Sequence, residues 1–180
     1  FLQAITAAAF AYAVMSFLMT ATPLSMHVME NMSLKETGLV LQFHVVAMFL
    51  PSLITGNLIK KYGHSTIIYG GVLFFFITVL LSLFEQTYLN YMLSLIFLGL
   101  GWNFLFISGT SLVVLTYNKE EKFKVQGIND LIVFSTMALA SLSAGILLNS
   151  IGWKMMNIIC IPFLILIILV SFVADKKSAS

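Results

Sequence analysis

The apolar residues of this chain fall in long runs, not in the one-sided stripes of a soluble helix. Six runs of about 20 residues or more can be marked, the length a helix needs to cross a bilayer. They are Phe1 to about Met26, Leu34 to about Ile59, Ser65 to Phe84, Tyr88 to about Tyr117, Ile128 to Asn149 and Trp153 to Ala174. Lipid offers no partner to a backbone N–H or C=O, so each run must satisfy its own as a helix. The expected fold is all-α: a polytopic membrane protein, a bundle of six transmembrane helices forming one domain over residues 1–180. Ser33 followed by Glu36 is a capping-box pattern that starts the second run. Pro51 should kink that helix, and Pro23 the far end of the first.

The runs differ in polar content. The third (Phe74-Phe75-Phe76, Leu80-Leu81) and the sixth (Ile161 through Val170) are apolar all round. The first carries Tyr12, Thr20 and Thr22, and the second Gln42 and His44. The fourth holds Asn103, Ser108, Thr110 and Ser111, and the fifth Ser135, Thr136, Ser141 and Ser143. Polar groups at membrane depth face protein or a water-filled cavity. The third helix of each triplet is therefore expected toward lipid, with the other four around something wet. That is the 3+3 pattern of transporter halves built from inverted repeats.

Lysines orient the set. Alternate connections hold Lys60 and Lys61, then Lys119, Lys122 and Lys124, then the tail with Lys176 and Lys177, while the others hold only Lys35 and Lys154. The positive-inside rule puts the lysine-rich loops and both chain ends in the cytoplasm. The charged segment 119–126, with Glu120 and Lys124 four apart, is expected as a short surface helix. Phe1 opens directly on an apolar run, with neither the basic flank nor the small-residue cleavage site of a signal peptide. The expectation is a chain that begins inside a longer protein.

Composition narrows the class. Hydrophobic residues make up 60% of the 180, charged residues 9%, and mean hydropathy is +1.03. A soluble domain carries about 25% charged residues, so the surroundings of this one must largely be lipid. The net charge is +2 and every cation is a lysine. Without arginine, a nucleic-acid face is not expected. Cys160 is alone in an apolar run and reads as a small hydrophobe. His27, His44 and His64 fall at different depths, so no shared metal is expected. Neither a catalytic set nor a phosphate-cradling glycine loop is visible, so no enzyme activity, cofactor or direct ATP use is expected.

The loop after the second run reads Gly56-Asn57-Leu58-Ile59-Lys60-Lys61-Tyr62-Gly63-His64. It resembles the G-x-x-x-D-R/K-x-G-R/K loop of the major facilitator superfamily, with Gly56, Lys61 and Gly63 matching, Lys60 in the acidic position and His64 in the last basic one. The stretch from Leu98 to Asp130, with GLGWNFLFISGT and the later KVQGINDLIVFSTMALASLSAG, is similar to helices 10 and 11 of a bacterial branch of that superfamily. YAVMSFLMTATPLSM and LQFHVVAMFLPSLITG fit the same branch. The resemblance covers essentially the whole chain and implies helices 7 to 12. It further implies a partner in the N-terminal six-helix half of the same protein, a small-molecule substrate and a bacterial inner membrane.

Three residues stand between chemistry and packing. His44, about 15 Å into its helix at 1.5 Å per residue, is either a substrate or proton site or a neutral ring bonded to the next helix. Asn103, beside Trp102, holds a polar ligand or an interhelical contact. Asp130, read as the only carboxylate adjoining a span core and as lying in the first turn of the fifth helix, is a gate contacting the other half or a helix cap. Gln42, Tyr12 and Thr20 complete the pathway candidates, and Gly56, Lys61, Gly63 and Asp130 the gating set. Ala4/Ala8, Ala9/Ala13, Thr136/Ala140/Ala144, Ser141/Gly145 and Gly99, Gly101 and Gly109 read as close helix packing. The expected function is secondary active transport of a small solute by alternating access, as symport or antiport, with proton coupling through His44 or through a carboxylate of the other half. Two rivals stand beside it: a membrane sensor or assembly subunit of the same fold, and a six-helix half-transporter that dimerises.

Overall fold

The structure, a computed structural model, describes residues 1–179, with side chains to Lys177. Its elements are α1 (Leu2–Pro23), a π-helical turn (Leu24–Met29), α2 (Leu34–Phe49), α3 (Ser52–Tyr62), α4 (His64–Ser82), α5 (Tyr88–Val114), α6 (Lys122–Ile159) and α7 (Ile161–Ala179). No strand occurs among the described residues.

Local chemistry sets the boundaries. Ser33 Oγ accepts from the Glu36 N–H at 3.2 Å while Glu36 Oε2 accepts from the Ser33 N–H at 2.9 Å, so α2 starts on a complete capping box. Pro51 has no N–H to continue the ladder, and the second span breaks there into α2 and α3. Past Pro23 the first span loosens into the π turn, which the Ser25–Tyr91 hydroxyl pair (2.6 Å) ties to α5. Gly63, at φ +84, turns α3 into α4.

Among the described residues five helical stretches are long and apolar enough to cross a membrane, and the last runs over 56 residues from Lys122 to Lys177. A straight helix of that length would reach about 84 Å, against a hydrocarbon core of about 30 Å. Gly152, at φ +74 and ψ 169, breaks it. Trp153 onward, through α7, is thus the sixth span, with Pro162 near the start of α7 where a missing N–H is tolerated.

Two expectations at the lysine-rich end are corrected. The helix of α6 already begins at Lys122, so residues 122–126 are its first turns, with no separate surface helix. Glu120 precedes that helix, and the Glu120–Lys124 spacing does not form a helical pair. Asp130 lies eight residues in, beyond the first turn, so the macrodipole and capping account of it fails.

The long central helices α1 and α5 pack on each other, α2 flanks α5, α6 flanks α1, and α4 and α7 stack behind. In the apolar stretch of the first span (Leu2–Met29) 67% of the residues are buried, against 28% in that of the second (Leu34–Tyr62), which makes the first span an axis and the second an edge. Small residues allow the close crossings. A Cβ on Gly109 would stand 2.8 Å from the Ala4 carbonyl of α1, one on Gly99 2.7 Å from the His44 carbonyl of α2, and one on Gly101 2.4 Å from the Phe75 ring of α4. So α5 is gripped on three sides, and the glycines act in packing as expected.

Candidate functional site

The three crossings on α5 leave one side free, and Trp102 and Phe106 occupy it. Trp102 and Phe106 stack at 5.0 Å between centroids with 14° between planes. Tyr12 of α1 meets them edge-on at 5.2 and 4.8 Å. Phe49 of α2 meets Trp102 at 5.7 Å, and Phe134 of α6 meets Tyr12 at 5.9 Å. Five rings from four helices thus form one layer. Tyr12, Phe49, Trp102 and Phe134 each lie near the middle of their spans, so the layer sits at mid-depth. Phe49 and Phe134 are 59% and 50% exposed, so the layer is open on the side away from α4 and α7.

Gln42 is exposed seven residues before Phe49. Thr20, also exposed, hydrogen-bonds Ser141 Oγ at 3.0 Å across the seam between α1 and α6. Ser141 follows Phe134 by seven residues, two turns on the same face. Asp130, exposed one turn before Phe134, contacts the Asn129 amide at 3.1 Å.

Asn103 and His44 are turned away from this open face, into the contact between α2 and α5, and both are fully buried. Asn103 Nδ2 donates to the Met48 carbonyl at 2.7 Å and to Ser52 Oγ at 2.6 Å, while Asn103 Oδ1 accepts from Thr55 Oγ at 2.6 Å. It bridges the Pro51 break, supplying hydrogen bonds where the backbone ladder is interrupted. His44 Nδ1 lies 2.7 Å from the Leu95 carbonyl. A carbonyl only accepts, so Nδ1 carries the proton there. Nε2 finds no partner among the described residues.

Of the loop motif, Gly63 is required by its positive φ. A Cβ at Gly56 would meet nothing within 4 Å, and Lys61 is exposed with its ammonium 4.9 Å from the Tyr62 ring. Neither is committed to a contact that builds this bundle.

Asp175 was not anticipated, and it corrects the reading of Asp130 as the only acid next to a span. Its carboxylate accepts from Ser65 Oγ at 2.5 Å and Tyr69 OH at 2.9 Å, and Ser65 Oγ accepts from Gln3 Nε2 at 2.8 Å. These bonds tie α1, α4 and α7 together at the lysine-rich end. The signal was present: a lone acid directly after the last apolar run. Behind the bundle, a groove of about 570 Å³ between α1, α6 and α7 is lined by Phe10, Phe17, Leu139 and Phe163 among other residues. Its lining is almost wholly apolar, and it faces away from the aromatic layer.

The six-span, all-α bundle therefore has an open, mid-depth aromatic face with two spans stacked behind it. The family model of the Major Facilitator Superfamily matches residues 4–180, and the chain belongs to that superfamily. It is 39% identical over 168 residues to a riboflavin transporter of Brucella anthropi, an alignment covering 93% of this chain and 42% of that protein. Two uncharacterized MFS-type transporters of Bacillus subtilis are each 30% identical over 148 residues, covering 81% of this chain and 34% of theirs. The chain spans less than half the length of the relatives it matches.

Proposed function

We propose that this chain is one half of a secondary active carrier that moves a small organic solute by alternating access. The open face of α1, α2, α5 and α6 is the half of the solute path that it contributes. The observation that carries this reading is the mid-depth layer of Tyr12, Phe49, Trp102, Phe106 and Phe134, whose outer rings, Phe49 and Phe134, are exposed on the side where a second bundle would close over it. Family membership supports it, and so does the printed activity of the Brucella relative.

In this reading the N-terminal six-helix half of the same protein faces the layer, and the lysine-rich end is cytoplasmic in a bacterial inner membrane. The burial of His44 behind the face and its bond to Leu95 favour a tie between α2 and α5 over substrate contact. Proton coupling then falls to a carboxylate of the other half. Asp130, exposed two turns inside α6, is the gate residue that meets a basic loop of the other half in the outward-open state.

The test is made on the full-length carrier with spin labels on the two halves at the lysine-rich end. Wild type should show two distance populations. Asp130→Asn should shift them inward-open by about 1 kcal/mol, several-fold in population. A single distance with no solute flux in vesicles would favour the sensor or assembly reading. Unchanged populations and flux in the variant would remove Asp130 from the gate.

A further inference from the structure

The open face is graded in chemistry along the membrane normal. At mid-depth it carries the five-ring layer. Toward the lysine-poor end, three residues bring neutral hydrogen-bonding groups to the same side. Gln42 lies seven residues from Phe49, Ser141 seven from Phe134 and Thr20 eight from Tyr12. At 1.5 Å per residue, the amide and the two hydroxyls stand about 10–12 Å from the aromatic layer. Neither tier, nor the stretches joining them (12–20, 42–49, 99–106 and 134–141), contains Lys, Asp or Glu. The one histidine in those stretches, His44, is buried and turned to Leu95.

Resting on the carrier reading above, we infer that this face binds a flat, uncharged aromatic ring that carries a neutral polar tail. The ring lies against the aromatic layer, and the tail reaches toward Gln42 and the Thr20–Ser141 pair.

Three features select this class. Ring faces reward a flat π-system and are indifferent to its substituents. Hydroxyl and amide groups both donate and accept, which suits a polyol or amide tail. A charged tail would be desolvated here without a counter-ion from this chain. The Thr20–Ser141 bond also holds the two hydroxyls in place before a ligand arrives.

The experiment uses the purified full-length carrier and three fluorescent probes: riboflavin (ring and polyol tail), lumiflavin (the ring with a methyl in place of the tail) and flavin mononucleotide (tail phosphorylated). Riboflavin should bind with quenched emission as the ring stacks. Flavin mononucleotide should bind at least about tenfold more weakly. Phe49→Leu and Phe134→Leu, both at exposed rings and so tolerable for folding, should weaken riboflavin and lumiflavin alike, by about tenfold each. Gln42→Leu and Thr20→Val should weaken riboflavin several-fold and leave lumiflavin unchanged.

The proposal is overturned if neither riboflavin nor lumiflavin binds wild type. It is also overturned if flavin mononucleotide binds as tightly as riboflavin, or if the two pairs of variants do not separate the ring from the tail. The spin-label distances above need no ligand, so two populations there with failure here would leave the carrier standing and sink only the ligand class.

Discussion

Asn103→Leu should destabilise the protein even though Leu keeps the branched heavy-atom skeleton of Asn. The substitution removes two donations, to Met48 O at 2.7 Å and Ser52 Oγ at 2.6 Å, and one acceptance from Thr55 Oγ at 2.6 Å. Interhelical hydrogen bonds in membranes average about 0.6 kcal/mol each, so three amount to about 2 kcal/mol. Thr55 Oγ keeps its bond to the Pro51 carbonyl at 2.8 Å and is not orphaned. The Met48 carbonyl loses its side-chain donor at a broken helix, adding about 1 kcal/mol. The sum, about 2–3 kcal/mol, corresponds to a Tm lower by roughly 4–12 °C for a unit of this size. Thermal unfolding of the detergent-solubilised full-length protein, followed by the fluorescence of its tryptophans or by a thiol dye, reads the shift. Thr55→Val removes one of the three bonds and should cost about 0.6 kcal/mol. An Asn103→Leu variant melting within about 1 °C of wild type would show that the helix break is stable without the bridge, and the reasoning would fail.

Three further outcomes follow from the same contacts. Gly101→Ala puts a methyl 2.4 Å from the Phe75 ring and 2.9 Å from the Gly71 carbonyl, so α4 and α5 must separate. The expected loss is about 1–3 kcal/mol, whereas Gly56→Ala, which meets nothing, should leave Tm unchanged. His44→Gln can donate to the Leu95 carbonyl from its amide, so it should keep both flux and its pH profile, while His44→Ala should lower Tm through loss of that bond. A flattened pH profile in His44→Gln would reinstate the ring as a coupling group. In a Cys160→Ala background, cysteines at Lys35 and Lys154 should react with an impermeant thiol reagent added outside the cell, and cysteines at Lys61 and Lys122 should not. The reverse pattern would invert the orientation.

Much of the fold was written in one-dimensional patterns. Six apolar runs, the Ser33–Glu36 box, the breaks at Pro51 and Pro23 and the turn at Gly63 all depend on residues close in the chain, whose physics is local. Lipid as solvent adds to this, since it forces every long apolar run into a helix whatever its neighbours. Class and family were accessible for that reason, and the family match over residues 4–180 agrees.

Facing and depth were decided only in three dimensions. Asn103 and Trp102 are adjacent in sequence, yet 100° of helical rotation sends one into the α2 contact and leaves the other in the aromatic layer. Tyr12, Phe49, Phe106 and Phe134 had no spacing in common, because they come from four helices that only packing through Gly99, Gly101 and Gly109 brings together. Asp130 looked like a helix start because the apolar run begins near it, but backbone hydrogen bonding does not follow hydropathy, and the helix starts at Lys122. Asp175 gained its role from Ser65 and Tyr69, more than a hundred residues earlier in the chain. Periodicity says which residues share a helix. Which side of that helix is open depends on the neighbours it packs against.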